Sequence, residues 1–352
     1  MNIQLDMSAD VRMKMGREVM CLGEQHGEGW SNYNADAVDF SGQMPSGSVD
    51  YCIHSPPFAN LYTYSDSALD MGNCADDAEF FRHYAYLLAN LYRVMRPGRN
   101  VSVHCKDLVD YKGSSGRAGL RDFPGDIIRA YEAAGFKYHS RVTIFKCPVT
   151  EMQRTKSHGL LYKQLRADST HSRQGLAEYV LTFRKWAAEG DEIHPVTHPN
   201  PVDLAKREEE ARALTFIGEP VPADLNAPAR GDLITLDQWQ KWASPVWLDI
   251  VQTDVLNVYH AREDRDEKHM CPLQLDLIDR CVALWSNPGD VVYTPFSGIG
   301  SELYGAIKRR RYAIGTELKY SYFLNGSKNA RSAEPLGVGT QVGFDFDFAV
   351  PA

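Results

Sequence analysis

The chain has 352 residues, 43% of them hydrophobic and 24% charged, with a formal net charge of −8. Such a composition excludes a disordered or fibrous chain and allows one large α/β domain with an insertion, or two domains. The acidic balance excludes indiscriminate nucleic-acid binding by the whole surface.

No run of eighteen apolar residues occurs, so no membrane partner is expected. The start, Met1-Asn2-Ile3-Gln4-Leu5-Asp6, lacks the basic and apolar regions of a secretory signal. The seven cysteines are scattered, with no Cys-x-x-Cys pair, so neither a disulfide framework nor a metal site is indicated. A cytoplasmic protein is expected.

In chain order, residues 1–48 read as polar, with one useful stretch at 33–40. Val49-Asp50-Tyr51-Cys52-Ile53-His54 reads as a buried strand that stops abruptly at Ser55-Pro56-Pro57-Phe58. Apolar residues at three- and four-residue spacing predict a helix over 78–94, stopped by Arg96-Pro97-Gly98-Arg99 before a strand at 100–105. A helix over 124–134, closed by Gly135, and a strand over 138–145 follow. This alternation indicates a parallel sheet flanked by helices.

The middle differs. Residues 137–185 carry ten basic against three acidic residues, and 187–237 carry four against eleven. A solvated face is the ordinary reading of such a run, but the first stretch is also the best candidate for contacting phosphates. A strand fits 178–183, a helical piece fits 203–214, and Trp239, Trp242 and Trp247 are expected to pack this insertion onto the main domain. Pro272 is a suitable first residue for the next helix. A strand at 291–293, a glycine loop, a helix over 302–310 and a strand at 312–315 complete the pattern.

Two constellations carry chemistry. Two consecutive prolines cannot donate to a ladder, so Ser55-Pro56-Pro57-Phe58 offers a hydroxyl, a bare carbonyl and an aromatic ring close together. The set can hold a planar ring that bears an amine, although a simple turn is the alternative on these residues alone. The second is the run from Thr294 to Ser301 with Glu317, nineteen positions after Gly298. A strand, a glycine-containing loop, a helix and a second strand ending in an acid form a nucleoside-binding unit. A nicotinamide enzyme is disfavoured because no third glycine follows Gly298-x-Gly300 at the required spacing.

Residues 50–58 together with 293–301 resemble the β class of amino-methylating DNA methyltransferases, which use S-adenosylmethionine as cofactor. The resemblance covers most of 30–145 and 245–330. It implies a Rossmann-like α/β methyltransferase sheet in circularly permuted motif order, with an inserted target-recognition region. The corresponding division is 1–145 for the catalytic half and 146–245 for target recognition and linker. Residues 246–335 then form the cofactor-binding half, followed by a tail at 336–352.

By the same resemblance Ser55, Pro56, Pro57 and Phe58 are catalytic. Cofactor binding falls to Asp36, His269, Thr294, Pro295, Phe296, Ser297, Gly298, Gly300, Ser301, Glu317 and Leu318. Two departures stand out: Ala35 precedes Asp36 where the family has glycine, and Thr294 replaces the acid that opens the loop. That acid's absence lowers the expected cofactor affinity.

The implied reaction is methyl transfer to the exocyclic amine of a base flipped from double-stranded DNA. Serine at the first motif position is associated in the family with cytosine N4, with adenine N6 as the alternative. Arg154, Lys156, Lys163, Arg166 and Arg173 are the expected DNA contacts. A homodimer and a cognate restriction endonuclease are further partners that the resemblance suggests. Rival readings are a degenerate relative that only binds DNA, and a methyltransferase acting on RNA or a protein amide.

Overall fold

A computed structural model describes residues 21–58, 67, 69–116, 118–155, 159–222, 232–257 and 272–334. In chain order the strands are β1 (Gly23–Gly27), β2 (Trp30–Asn34), β3 (Val49–His54), β4 (Met95–Cys105), β5 (Leu108–Asp110), β6 (Gly119–Arg121), β7 (Lys137–Ile144), β8 (Glu178–Arg184), β9 (Val246–Trp247), β10 (Val291–Thr294) and β11 (Tyr312–Thr316). The principal helices are α1 (Ala37–Gln43), α2 (Asp77–Val94), α3 (Phe123–Ala133), α4 (Pro148–Thr155) and α5 (Tyr162–Ala167). They continue with α6 (Pro201–Phe216), α7 (Leu236–Trp242), α8 (Leu275–Trp285), α9 (Ser301–Lys308) and α10 (Tyr320–Ala333).

Nine strands form one sheet in the order β1-β2-β11-β10-β3-β4-β8-β7-β9. The five from β2 to β4 in that order are mutually parallel, while β1, β8 and β7 join by antiparallel pairing. The late strand β10 lies beside the early strand β3, with Val292 opposite Tyr51 and Tyr293 opposite Cys52. From β10 the chain goes on to β11 on one side, and from β3 to β4 on the other. Their carboxyl ends therefore flank the crevice in which α/β sheets bind ligands.

Alternation along the central strands feeds two cores, which is why these strands read as continuous apolar runs. Cys52, Val101, Val103, Tyr293 and Ile314 face α1, α2 and α3 through Phe40, Phe80, Tyr84, Leu88 and Tyr131. Tyr51, Ile53, Val292 and Ala313 face α8, α9 and α10 through Leu277, Ile278, Val282, Ala306 and Ala330. At the opposite, amino-terminal edge, Asp50 accepts from the Val291 amide at 2.9 Å and pairs with Arg96 at 3.1 Å, while Arg99 pairs with Asp290. Those bonds tie the two sequence halves together.

Several expectations are corrected. The run Arg96-Pro97-Gly98-Arg99 does not precede β4 but lies inside it, because the pairing with β3 slips there and Gly98 takes a φ of 76°. This bulge is where a proline is tolerated in a strand. Helix α8 starts at Leu275 with Gln274 as its cap, so Pro272 is not its first residue. The polar stretch 1–48 holds the β1–β2 hairpin and α1, and α10 escaped the sequence reading altogether. Trp242 and Trp247 are buried, whereas Trp239 is 55% exposed.

Candidate active site

Ser55-Pro56-Pro57-Phe58 leaves the carboxyl end of β3, and 295–300 leaves the carboxyl end of the adjacent β10. Between them opens a cleft of about 1180 Å³ counted to its mouth, walled also by Asp36, Asp70, Leu273, Ser301, Glu302, Glu317, Leu318, Lys319 and Tyr322. All four motif residues, and Pro295, Phe296, Ser297 and Gly298 of the loop, line it. The two constellations, more than two hundred residues apart in sequence, thus face one cavity.

On the loop side, Glu317 stands just past β11. Its Oε2 accepts from the Gly298 amide at 2.8 Å and its Oε1 from the Lys319 amide at 2.9 Å. Burial raises its carboxyl to about 7 in spite of those two donors. Asn34 Nδ2 donates to the carbonyls of Glu317 and Leu318 at 2.8 and 2.9 Å, which holds this strand tip against β2. Asp36 caps α1, with Oδ1 accepting from the amides of Val38 and Asp39.

Not every loop side chain points its polar group into the cavity. The Ser297 hydroxyl turns back to donate to Asn32 Oδ1 at 3.1 Å. Gly300, at φ 83°, packs on helix α10: an added Cβ would lie 2.7 Å from the Gly326 carbonyl oxygen. Its glycine requirement is therefore one of helix packing and backbone conformation rather than ligand approach. Thr294 is buried at the end of β10 and lies off the cleft wall, with no hydrogen-bond partner for Oγ1 among the described residues. Ser301 Oγ is likewise buried and unpaired, but on the cleft wall.

On the motif side, Ser55 Oγ lies 3.3 Å from His104 Nδ1 and 3.2 Å from the His104 carbonyl oxygen. His104 Nε2 lies 3.0 Å from Glu178 Oε2, and Lys146 Nζ meets the same oxygen at 2.5 Å. Burial alone would raise the Glu178 carboxyl, but His104 and Lys146 outweigh it and hold the group at about 2. An ionised carboxylate only accepts, so His104 Nε2 carries a proton and donates to Glu178, and Nδ1 is the ring nitrogen that faces Ser55. Beneath the motif, His54 is kept neutral by burial, which lowers it to about 3, and bonds the Tyr84 hydroxyl at 2.9 Å. Phe58 meets Phe123 edge-on with centroids 6.1 Å apart, and Lys106 Nζ lies 5.9 Å from its ring centre.

Sequence reasoning missed His104, Glu178, Lys146 and Glu302. The first three close on one another through the pairing of β4 with β8 and of β8 with β7. Glu302 had a local signal, since it stands directly after the glycine loop at the start of a helix.

The basic segment emerges beside this site for a topological reason. Strand β7 runs parallel to β3 and β4, because each of the two antiparallel steps through β8 reverses direction. The connection from β7 to β8 therefore leaves and returns at the carboxyl edge. Lys163 and Arg166 are exposed on α5; Arg173 is half-buried, and its Nε and Nη2 have no hydrogen-bond partner among the described residues. Arg154 falls in α4, without a described side chain, and Lys156 and His269 lie outside the described residues. The acidic stretch, in contrast, is tied to the opposite edge: Asn287 bonds Pro195 and Thr197, and Arg99 bonds the His194 carbonyl.

A parallel sheet with a permuted order and paired motifs at its switch point defines a class, and the comparisons agree with it. The family model described as DNA methylase (N6/N4) matches residues 49–327, so the chain belongs to that family. Among curated proteins, a type II methyltransferase, M.BglII of Bacillus subtilis, is 22% identical over 290 residues, which is 82% of this chain and 66% of that protein. The chain thus spans slightly less than two thirds of that relative's length.

Among solved structures, a putative DNA modification methylase from Thermus thermophilus, complexed with S-adenosyl-L-methionine, superposes with a TM-score of 0.55 at 20% identity. The match covers 85% of this chain and 92% of that one. PvuII DNA methyltransferase, titled cytosine-N4-specific, gives 0.54 at 14% identity over 87% of each chain. At these identities the structures establish the shared fold.

Proposed function

We propose that this chain transfers a methyl group from S-adenosylmethionine to the exocyclic amine of a base flipped out of duplex DNA, N4 of cytosine by preference. The observation that carries the reading is the apposition of Ser55 and Pro56 with the glycine loop and Glu317 across one cleft. The residues present fit the cofactor: four carboxylates and one lysine line the cleft, suited to a cationic ligand, and Ser301 Oγ waits there without a partner. Glu317 would hold the ribose hydroxyls, while Asp36 and the apolar wall near Leu318 would hold the adenine. When bound, the cofactor supplies an electrophilic methyl group.

An exocyclic amine is a weak nucleophile because its lone pair is conjugated with the ring. Ser55 Oγ and the Pro56 carbonyl accept its two N–H bonds and draw the nitrogen toward tetrahedral geometry, and Phe58 stacks on the base. Ser55 can accept because its own proton is given to His104. As the nitrogen gains the methyl group it must lose one proton. That proton passes to Ser55 Oγ as the serine proton passes to His104 Nδ1. The imidazolium formed is stabilised by Glu178, an arrangement of hydroxyl, imidazole and carboxylate with the logic of a catalytic triad. Serine in place of a carboxylate at the first motif position, together with the neutral hydroxyl it presents, supports cytosine.

Sequencing methylated DNA from cells that express the protein, with mass spectrometry of the hydrolysed bases, tests the assignment. N4-methylcytosine in a fixed context is expected. N6-methyladenine would overturn the choice of base, and methylation of RNA or protein alone would overturn the DNA substrate. Ser55→Ala is expected to keep cofactor binding and to lower single-turnover methylation by at least about a hundredfold. Unchanged turnover would remove Ser55 from the mechanism.

A further inference from the structure

The cleft holds a carboxylate that the reaction does not use. Glu302 is the second residue of α9, is 5% exposed, and lines the cavity. Its carboxylate meets only its own backbone amide among the described residues, and burial, with the charge of Glu317 added, raises it to about 8. The other acids of the wall already have backbone partners, and Glu317 and Asp36 fall at the nucleoside end of the cofactor. Glu317 accepts two backbone amides, Asp36 caps α1, and Asp70 caps a short turn at Gly72. Thr294 is uncharged and stands off the wall. A buried carboxyl with no charged partner stays largely protonated, and a cation entering the cavity would favour its ionised form.

The residue beside it offers the opposite complement. Ser301, 2% exposed, has a hydroxyl with no partner among the described residues on the same wall, and at the start of α9 the N-cap Gly300 supplies no side-chain cap. Unpaired amides and a hydroxyl at a helix start suit a carboxylate. Two adjacent side chains thus present a carboxyl ready to ionise against a cation and a hydroxyl ready to donate to an anion, the mirror of an amino acid's ammonium and carboxylate.

We propose that Glu302 recognises the ammonium of the cofactor's amino-acid end, beside Ser301, whose Oγ takes the neighbouring carboxylate. The charge missing at Thr294 is thereby supplied eight residues later, on a helix instead of a strand end. The inference rests on the reading of this cleft as the S-adenosylmethionine site, and it removes the ground for regarding the chain as a degenerate relative.

Calorimetry with two probes tests it on the full chain: S-adenosylhomocysteine, which carries the amino-acid end, and 5′-methylthioadenosine, which lacks it. In Glu302→Gln the affinity for S-adenosylhomocysteine should fall at least about tenfold, while that for methylthioadenosine stays within twofold. Glu302→Asp should recover part of the loss. Ser301→Ala should also weaken the first probe alone. Retention of full S-adenosylhomocysteine affinity in Glu302→Gln would overturn the inference and leave the cofactor reading intact. Failure of the unsubstituted protein to bind either probe would overturn the cofactor reading itself. A purely structural Glu302 is distinguished by melting without ligand at pH 8.5. Glu302→Gln is expected to melt higher there, because a buried unpaired charge is gone, and a lower melting temperature counts against the proposal.

Discussion

Glu178→Gln separates a catalytic relay from a structural ion pair. The substitution keeps the side chain's shape but removes the charge that faces His104 at 3.0 Å and Lys146 at 2.5 Å. The carboxyl stands at about 2 rather than its ordinary 4.5, with its side chain only 17% exposed. At about 1.4 kcal/mol per decade this corresponds to roughly 3 kcal/mol of stability at neutral pH. Because the folded value is depressed, that stability is present above 4.5 and is lost as the pH falls through about 2. Removing one partner of a buried pair costs about 3–5 kcal/mol, in agreement.

The catalytic effect has a different origin. A glutamine amide can donate to His104 Nε2, which puts the ring proton on Nδ1 and takes away the acceptor for the Ser55 hydroxyl. Loss of a positioned base lowers a rate by about 10²–10⁴. Thermal melting and single-turnover methylation of duplex DNA measure the two effects apart. The double variant Lys146→Met with Glu178→Gln removes both charges, so it should recover most of the stability and none of the rate. A double variant that regains the full rate, or a stable Glu178→Gln protein within twofold of the unsubstituted rate, would refute the relay.

Two further predictions concern the loop and the DNA. Gly300→Ala forces a Cβ to within 2.7 Å of the Gly326 oxygen at a φ of 83°. It should cost about 1–3 kcal/mol by melting and weaken S-adenosylhomocysteine binding through displacement of α9. Lys163→Ala with Arg166→Ala removes two exposed cations from α5, and duplex affinity should fall for every sequence alike. The slope of log K against log salt should shrink by about 1.8, two phosphate contacts' worth. An unchanged slope would place the DNA path elsewhere.

Much of this was legible in the sequence for identifiable reasons. Strands β3, β10 and β11 are buried on both faces, so most of their residues are apolar, and β3 and β10 end at prolines that cannot continue a ladder. The helix α2 announced itself because one face packs on the sheet, with Phe80, Tyr84, Leu87, Leu88, Leu91 and Val94 buried at helical spacing. The hairpin β1–β2 and helix α10 escaped notice because polar residues take part in their packing. Asn32, Asn34 and Ser327 are buried there through hydrogen bonds to one another and to backbone rather than through apolar contact.

Ser55-Pro56-Pro57-Phe58 and the loop from Thr294 to Ser301 could be found from the chain alone, because each is a local device in which neighbouring residues act together. The sequence also set the order of the two motifs, and with it the family. What surrounds them is not local. His104 and Glu178 stand seventy-four positions apart in sequence, and they meet because β8 pairs antiparallel with β4. Lys146 joins them at the root of the basic connection. Glu302 draws its meaning from its burial on the cleft wall beside Ser301, which no spacing rule expresses. Side-chain chemistry determined what the chain could do; sheet pairing decided which side chains would do it together.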